Sequence, residues 1–135
     1  MNPLVPAPSA ILARLEALSK TLAAAQEQVD GEIEALLEEP GRPLEALATL
    51  LDESAAKLDA LLDDLEGTMA GAPAAVASAL RKVQKWQRAL VDRHQDVLEA
   101  HSSTDSDQRT GAAKDAANSL SQARSALAKL IGALR

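Results

Sequence analysis

The chain has no cysteine, no phenylalanine and no tyrosine, and Trp86 is its single residue among the three large aromatics. Without cysteine there is no disulfide, no thiolate metal site and no cysteine nucleophile. Without Phe and Tyr, and with few Val, Ile or Thr, the side chains that favour strands are scarce. No apolar run approaches the roughly 20 residues of a membrane-crossing helix, so no membrane span is expected. The N-terminal text MNPLVPAPSA puts no positive charge ahead of an apolar core and does not read as a Sec-type signal peptide. A cytoplasmic location is the expectation, with export by a route that reads no N-terminal signal as the alternative. A glycine-rich phosphate loop, a GxSxG elbow and an HExxH pair are all missing, so no cofactor, no metal and no enzymatic activity are expected.

What is present is helix-forming material. Of 135 residues, 29 are alanine and 22 are leucine, and both are strong helix formers. The chain is long enough for one domain with a real core. From Pro43 to Gly67, Leu44, Leu47, Leu51, Leu58, Leu62 and Leu65 advance by three, four or seven residues. That spacing draws one apolar stripe along a helix and leaves Glu45, Asp52, Glu53, Asp59, Asp63 and Glu66 largely off it.

Matching stripes occupy the rest of the chain. Residues 1–8 hold three prolines and predict an extended, mobile arm. Ser9 is then placed to cap a first helix over about 9–39, its stripe running Leu12, Leu15, Leu18, Leu22, Ala25, Val29, Ile33 and Leu36. Gly31 lies inside that helix and allows a local bend or a frayed segment there. Pro40-Gly41-Arg42-Pro43 stops it and restarts a second helix over 43–67, antiparallel to the first because the connection is short. A second break from Gly67 to Pro73 leads to a third helix over 73–101, with Val76, Leu80, Val83, Leu90 and Val97 as its stripe. Gln87, His94 and His101 interrupt it. The wholly polar text HSSTDSDQRTG predicts a loop over 102–111. A last helix over 110–134 carries Ala113, Ala116, Leu120, Ala123, Leu127, Leu130 and Leu134. The fold class is all-α, an antiparallel up-down-up-down four-helix bundle over 9–135; two long helical hairpins, completed by a homodimer, satisfy the same stripes.

Charge divides the chain. Residues 1–72 carry 4 basic and 14 acidic side chains, a net of −10, and residues 73–135 carry 10 and 6, a net of +4. The plain expectation is that the two halves neutralise each other inside one bundle. The acidic balance and near absence of aromatics exclude a nucleic-acid partner. The basic positions Arg81, Lys85 and Arg88 fall at i, i+4 and i+7, flanked by Lys82, and form a ridge suited to an acidic partner. Trp86 beside them is either the bulkiest core residue or an anchor for a partner. These four, Trp86, Arg81, Lys85 and Arg88, are the candidate partner-binding residues.

Residues that could carry chemistry are few. His94 and His101 are seven apart, about 10 Å along a helix, too far to share one metal ion. Histidine phosphotransfer domains carry a small, glycine-rich stretch after the acceptor, whereas QDVLEA follows His94 and SSTDSD follows His101. The adjacent carboxylates Glu38-Glu39, Asp52-Glu53 and Asp63-Asp64 point about 100° apart on a helix and read as solvated faces.

The pattern IEALLEEPGRPLEALATLLDESAAKLDALL, from Ile33 onward to the neighbourhood of Leu65, is similar to the helical hairpin of FlgN-type flagellar export chaperones. The shared features are an acidic helix, a short break and a leucine-rich helix with a lysine followed by apolar positions, here Lys57, Leu58, Leu61 and Leu62. The resemblance implies a chaperone that keeps an amphipathic segment of an exported subunit soluble by helix-in-groove binding. The functional expectation is therefore a non-enzymatic helical adaptor or chaperone for a partner's amphipathic helix. Apolar surface left over near Trp86 or on the last helix would accompany it. A self-associating structural protein, or a helical hairpin secreted without a signal, is the alternative. Against WXG-type secreted hairpins, Trp86-Gln87-Arg88 lacks the glycine and sits within a helix.

Overall fold

Four stripes become four helices: α1 (Pro8–Glu38), α2 (Glu45–Thr68), α3 (Ala74–His101) and α4 (Ser106–Leu134). This is a computed structural model, and it describes residues 8–68 and 71–135. Helix α1 packs on α2 and α4, and α3 packs on α2 and α4, while α1 and α3 do not touch among the described residues. That ring of neighbours is an up-down-up-down four-helix bundle, and one chain supplies all four walls.

The core is aliphatic throughout. Leu15, Leu22, Leu51, Leu58, Leu90, Leu120, Leu127 and Leu130 are all fully buried, each contributing on the order of 2 kcal/mol by leaving water. Every leucine of the α2 stripe is buried, as are Val76, Leu80, Val83, Leu90 and Val97 of α3. On α4, Ala113, Ala116 and Ala123 are buried too, and their small side chains let α3 and α4 make the most extensive packing of any pair. The polar interruptions of the α3 stripe are used rather than hidden. Gln87 Nε2 donates to the Ala55 carbonyl on α2 at 3.3 Å.

Helix limits differ from the sequence expectation at several ends, α2 starting at Glu45 rather than Pro43 and α3 at Ala74 rather than Pro73. The arm expected over residues 1–8 falls outside the described residues except for Pro8, with which α1 begins, one residue ahead of the expected Ser9 cap. Proline is tolerated there because first-turn N–H groups have no intrahelical acceptor. Helix α1 runs unbroken through Gly31. The loop expected over 102–111 is the larger correction: Ser106 to Gly111 are helical, and only residues 102–105 connect α3 to α4. Asp105 starts α4 early, its carboxylate accepting from the Asp107 N–H at 3.0 Å. Between α2 and α3, Gly71 takes a φ of 82°, a left-handed conformation that glycine adopts without a Cβ penalty.

A buried arginine fixes one end of the bundle. Arg109 is 5% exposed and turns its guanidinium onto backbone carbonyls of both turns at that end. Its Nε donates to Pro40 at 2.8 Å, and Nη1 donates to Ala100, His101 and Ser103 at 3.2, 2.9 and 3.2 Å. Nη2 donates to the Arg42 carbonyl. The cation sits at the carbonyl end of α3, where the helix dipole favours positive charge. His101 adds a second tie between the same turns: the Leu44 N–H, just ahead of α2, donates to His101 Nδ1 at 3.1 Å. That bond leaves the ring proton on Nε2, 3.9 Å from Glu45 Oε1.

Replacing Arg109 by alanine strips several part-buried carbonyls of their donor at once. The expected cost is about 3 kcal/mol in urea unfolding, with faster proteolysis at residues 100–106. Arg109→Lys should recover only part of it, because an ammonium cannot span both turns. A loss below about 1 kcal/mol would mean that the turns are held by something else.

Candidate functional site

Two surfaces stand out on the bundle. The first is the seam between α1 and α2, the neighbouring pair that packs least closely. Large leucines occupy the inner positions on both sides, with Leu18, Leu22 and Leu36 on α1 and Leu47, Leu51 and Leu61 on α2. The outer positions are too small or too polar to fill the notch between the helices: Ala24, Ala25, Gln28 and Gly31 on one side, Ala46, Thr49 and Glu53 on the other. A Cβ added at Gly31 would meet nothing within 4 Å.

Two depressions, of about 520 and 260 Å³, share Gln28, Leu50 and Glu53 and so form one continuous groove. From Thr21 to Glu32 it follows about 16 Å of α1, three helical turns. Leu50 is half-buried and packs against the core beneath it. Glu32, Glu53 and Lys57 stand around its length, and Glu32 is paired with Arg42 at 3.0 Å.

The second surface is the outer side of α3. Arg81, Lys82, Lys85 and Arg88 are all exposed there, as their spacing predicts. None lies within ion-pair distance of a carboxylate among the described residues. Trp86 is half-buried and packs against the core, with Lys85 Nζ 5.1 Å from its ring centroid, a cation–π contact. The structure therefore gathers Arg81, Lys85 and Arg88 on one face and turns Trp86 sideways from them, part core and part surface. Among the described residues, the large apolar side chains left exposed are Leu37, Val91 and Leu98, on α1 and α3 rather than on the last helix.

Neutralisation between the two halves of the chain is slight. Arg135 pairs with Glu16 across α4 and α1 at 2.7 Å, while Arg14–Asp64 and Arg42–Glu32 join residues of the acidic half to each other. The adjacent carboxylates Glu38-Glu39, Asp52-Glu53 and Asp63-Asp64 all stand exposed. His94 is half-buried, and His101 is engaged in the Leu44 tie.

Sequence reasoning passed over Leu50 and Arg109. Leu50 lies outside the α2 leucine stripe, and nothing local marks it as the floor of a groove. Arg109 did carry a signal, since 109, 113, 116 and 120 advance by four, three and four in phase with the α4 stripe.

Trp86→Ala removes a half-buried ring, so it should cost about 1–2 kcal/mol, below the 3–5 kcal/mol of a fully buried aromatic, and leave helicity intact. Urea unfolding followed by circular dichroism measures this. Collapse of the fold would place Trp86 wholly in the core. No protein-family model, no curated protein and no solved structure matches the chain.

Proposed function

We propose that the chain is a non-enzymatic interaction protein, an adaptor or chaperone, whose α1–α2 groove receives an amphipathic helix of a protein partner. The observation that carries this reading is the continuity of the groove over three helical turns, with Leu50 along its floor. A helix laid between α1 and α2 would seat a narrow apolar strip against Ala25, Ala46 and Leu50, the usual helix-in-groove arrangement. The walls leave the notch unfilled, so leucine-sized side chains on the client helix would occupy it, with alanine where the two helices come closest.

Charge narrows the partner further. The groove is cut into the acidic half of the chain, so a client helix flanked by lysine or arginine is favoured over an acidic one. The similarity of the hairpin to FlgN-type export chaperones suggests a client class: an aggregation-prone amphipathic segment of an exported subunit, held before export. The chain then acts by covering apolar surface, with no bond made or broken.

A labelled amphipathic peptide with a leucine–alanine face and lysine flanks is the direct probe. Fluorescence anisotropy should show binding to wild type and at least a tenfold loss with Leu50→Glu or Ala46→Arg, about 1.4 kcal/mol or more. The same peptide with glutamate flanks should bind more weakly. Equal binding by wild type and both groove variants, with helicity retained, would remove the groove from the function.

A further inference from the structure

The basic ridge of α3 closes no ion pair among the described residues, although Arg88 shares a depression with Asp59, Asp63 and Glu66 of α2, and the same molecule carries a second, more exposed acidic row. On α1, Glu27, Asp30, Glu34 and Glu38 recur at three and four residues, all exposed. None pairs with a cation among the described residues, and only Asp30 is engaged, accepting from Gln26 Nε2 at 3.3 Å. Helices α1 and α3 do not touch, being at diagonal corners, so their outer faces point away from each other. Among the described residues, the exposed large apolar side chains belong to these two helices: Leu37 is 56% exposed, Val91 48% and Leu98 43%. Leu37 follows Glu34 by three residues and Val91 follows Arg88 by three, so each charged row has an apolar neighbour one turn on.

We infer that the α3 ridge, Arg81, Lys85 and Arg88, docks on the α1 acidic row of a second copy of this chain. Like-charged side chains on each row favour an opposite partner, and the ridge, about 10 Å of α3, fits within the acidic row, about 16 Å of α1. A foreign acidic protein or an anionic membrane would use the ridge and leave the α1 row and Leu37 idle. A second copy uses both.

Geometry sets the kind of assembly. Because the two rows lie on diagonal corners, one neighbour cannot satisfy both, and the contact is heterologous: it propagates from copy to copy instead of closing into a two-fold dimer. The acidic row occupies the end of α1 near the Arg109 clamp, and the ridge occupies the opposite end, in the first half of α3. Neighbouring copies are therefore staggered along the bundle axis. Contacts built mostly from exposed ion pairs are weak and salt-sensitive. The α1–α2 groove takes no part, so this inference stands apart from the proposed client binding.

Sedimentation velocity of the full chain over a concentration series tests it. At low salt the weight-average coefficient should climb with concentration without levelling at a dimer. It should return to the monomer value near 1 M salt, where the Debye length is about 3 Å. Arg81→Glu/Lys85→Glu/Arg88→Glu and Glu27→Lys/Glu34→Lys/Glu38→Lys should each lose the rise, with helicity checked by circular dichroism. Mixed together, they should associate again and keep growing, because the unaltered acidic row of the first meets the unaltered ridge of the second while their altered faces are also opposite in charge; a mixture that stays monomeric would count against the inference. Arg81→Gln/Lys85→Gln/Arg88→Gln, which keeps only a working acidic row, mixed with Glu27→Gln/Glu34→Gln/Glu38→Gln, which keeps only a working ridge, should give a dimer and nothing larger. A wild type that stays monomeric, a closed dimer, or self-association that survives in either glutamine variant would overturn the inference. So would wild type that binds anionic phosphatidylserine vesicles while remaining monomeric in solution.

Discussion

The bundle depends on a core that aliphatic side chains must fill alone. Leucine and alanine differ greatly in volume, and the one aromatic ring, Trp86, packs only at the edge of the core, so the spacing between helices depends largely on their placement. Where α4 presents Ala113, Ala116 and Ala123, it packs intimately against α3. Where α1 meets α2, packing is looser and the outer notch stays open. The groove is thus a by-product of how closely each pair of helices packs. Its position was set by the same pattern that closes the core.

Burial of apolar surface has no direction, and it does not by itself say which turn meets which. Directional bonds do that at the Arg109 end. A guanidinium removed from water is tolerable only when its donors are met, and here five contacts to carbonyls of two separate turns meet them. The His101–Leu44 bond links the same two connections. One residue of α4 and one of α3 therefore tie down the α1–α2 connection.

Periodic burial was readable from the chain because a helix repeats its buried face every three or four residues. The α1, α2 and α4 stripes and the number of helices follow from that alone. The start of α4 did not follow, because Ser103, Asp105, Ser106 and Asp107 have the composition of a loop while acting as a cap and a first turn. Phase carried the missing information: Arg109 lies on the buried side of α4, and its charge disguised it. Charge imbalance was equally plain in the sequence, but where the charges sit was not. Arg135 and Glu16 meet across the two halves, whereas the ridge from Arg81 to Arg88 looks outward. Trp86 could be read either way from the chain, and it is half-buried.

The two proposed surfaces of the protein answer to different forces, and α1 contributes to both from neighbouring sides. Gln28 and Gly31 face the groove, while Glu27, Asp30 and Glu34 lie around the helix on its outer face. A client helix in the groove would be held chiefly by apolar burial against Leu50 and Ala46, which added salt does not screen. A neighbouring copy on the outer face would be held chiefly by exposed charge, which salt weakens within a few ångströms. Raising ionic strength should therefore detach copies from one another before it empties the groove. A client rich in lysine would act in the same direction as salt, since its charge partly cancels the field of the acidic row that attracts the next copy.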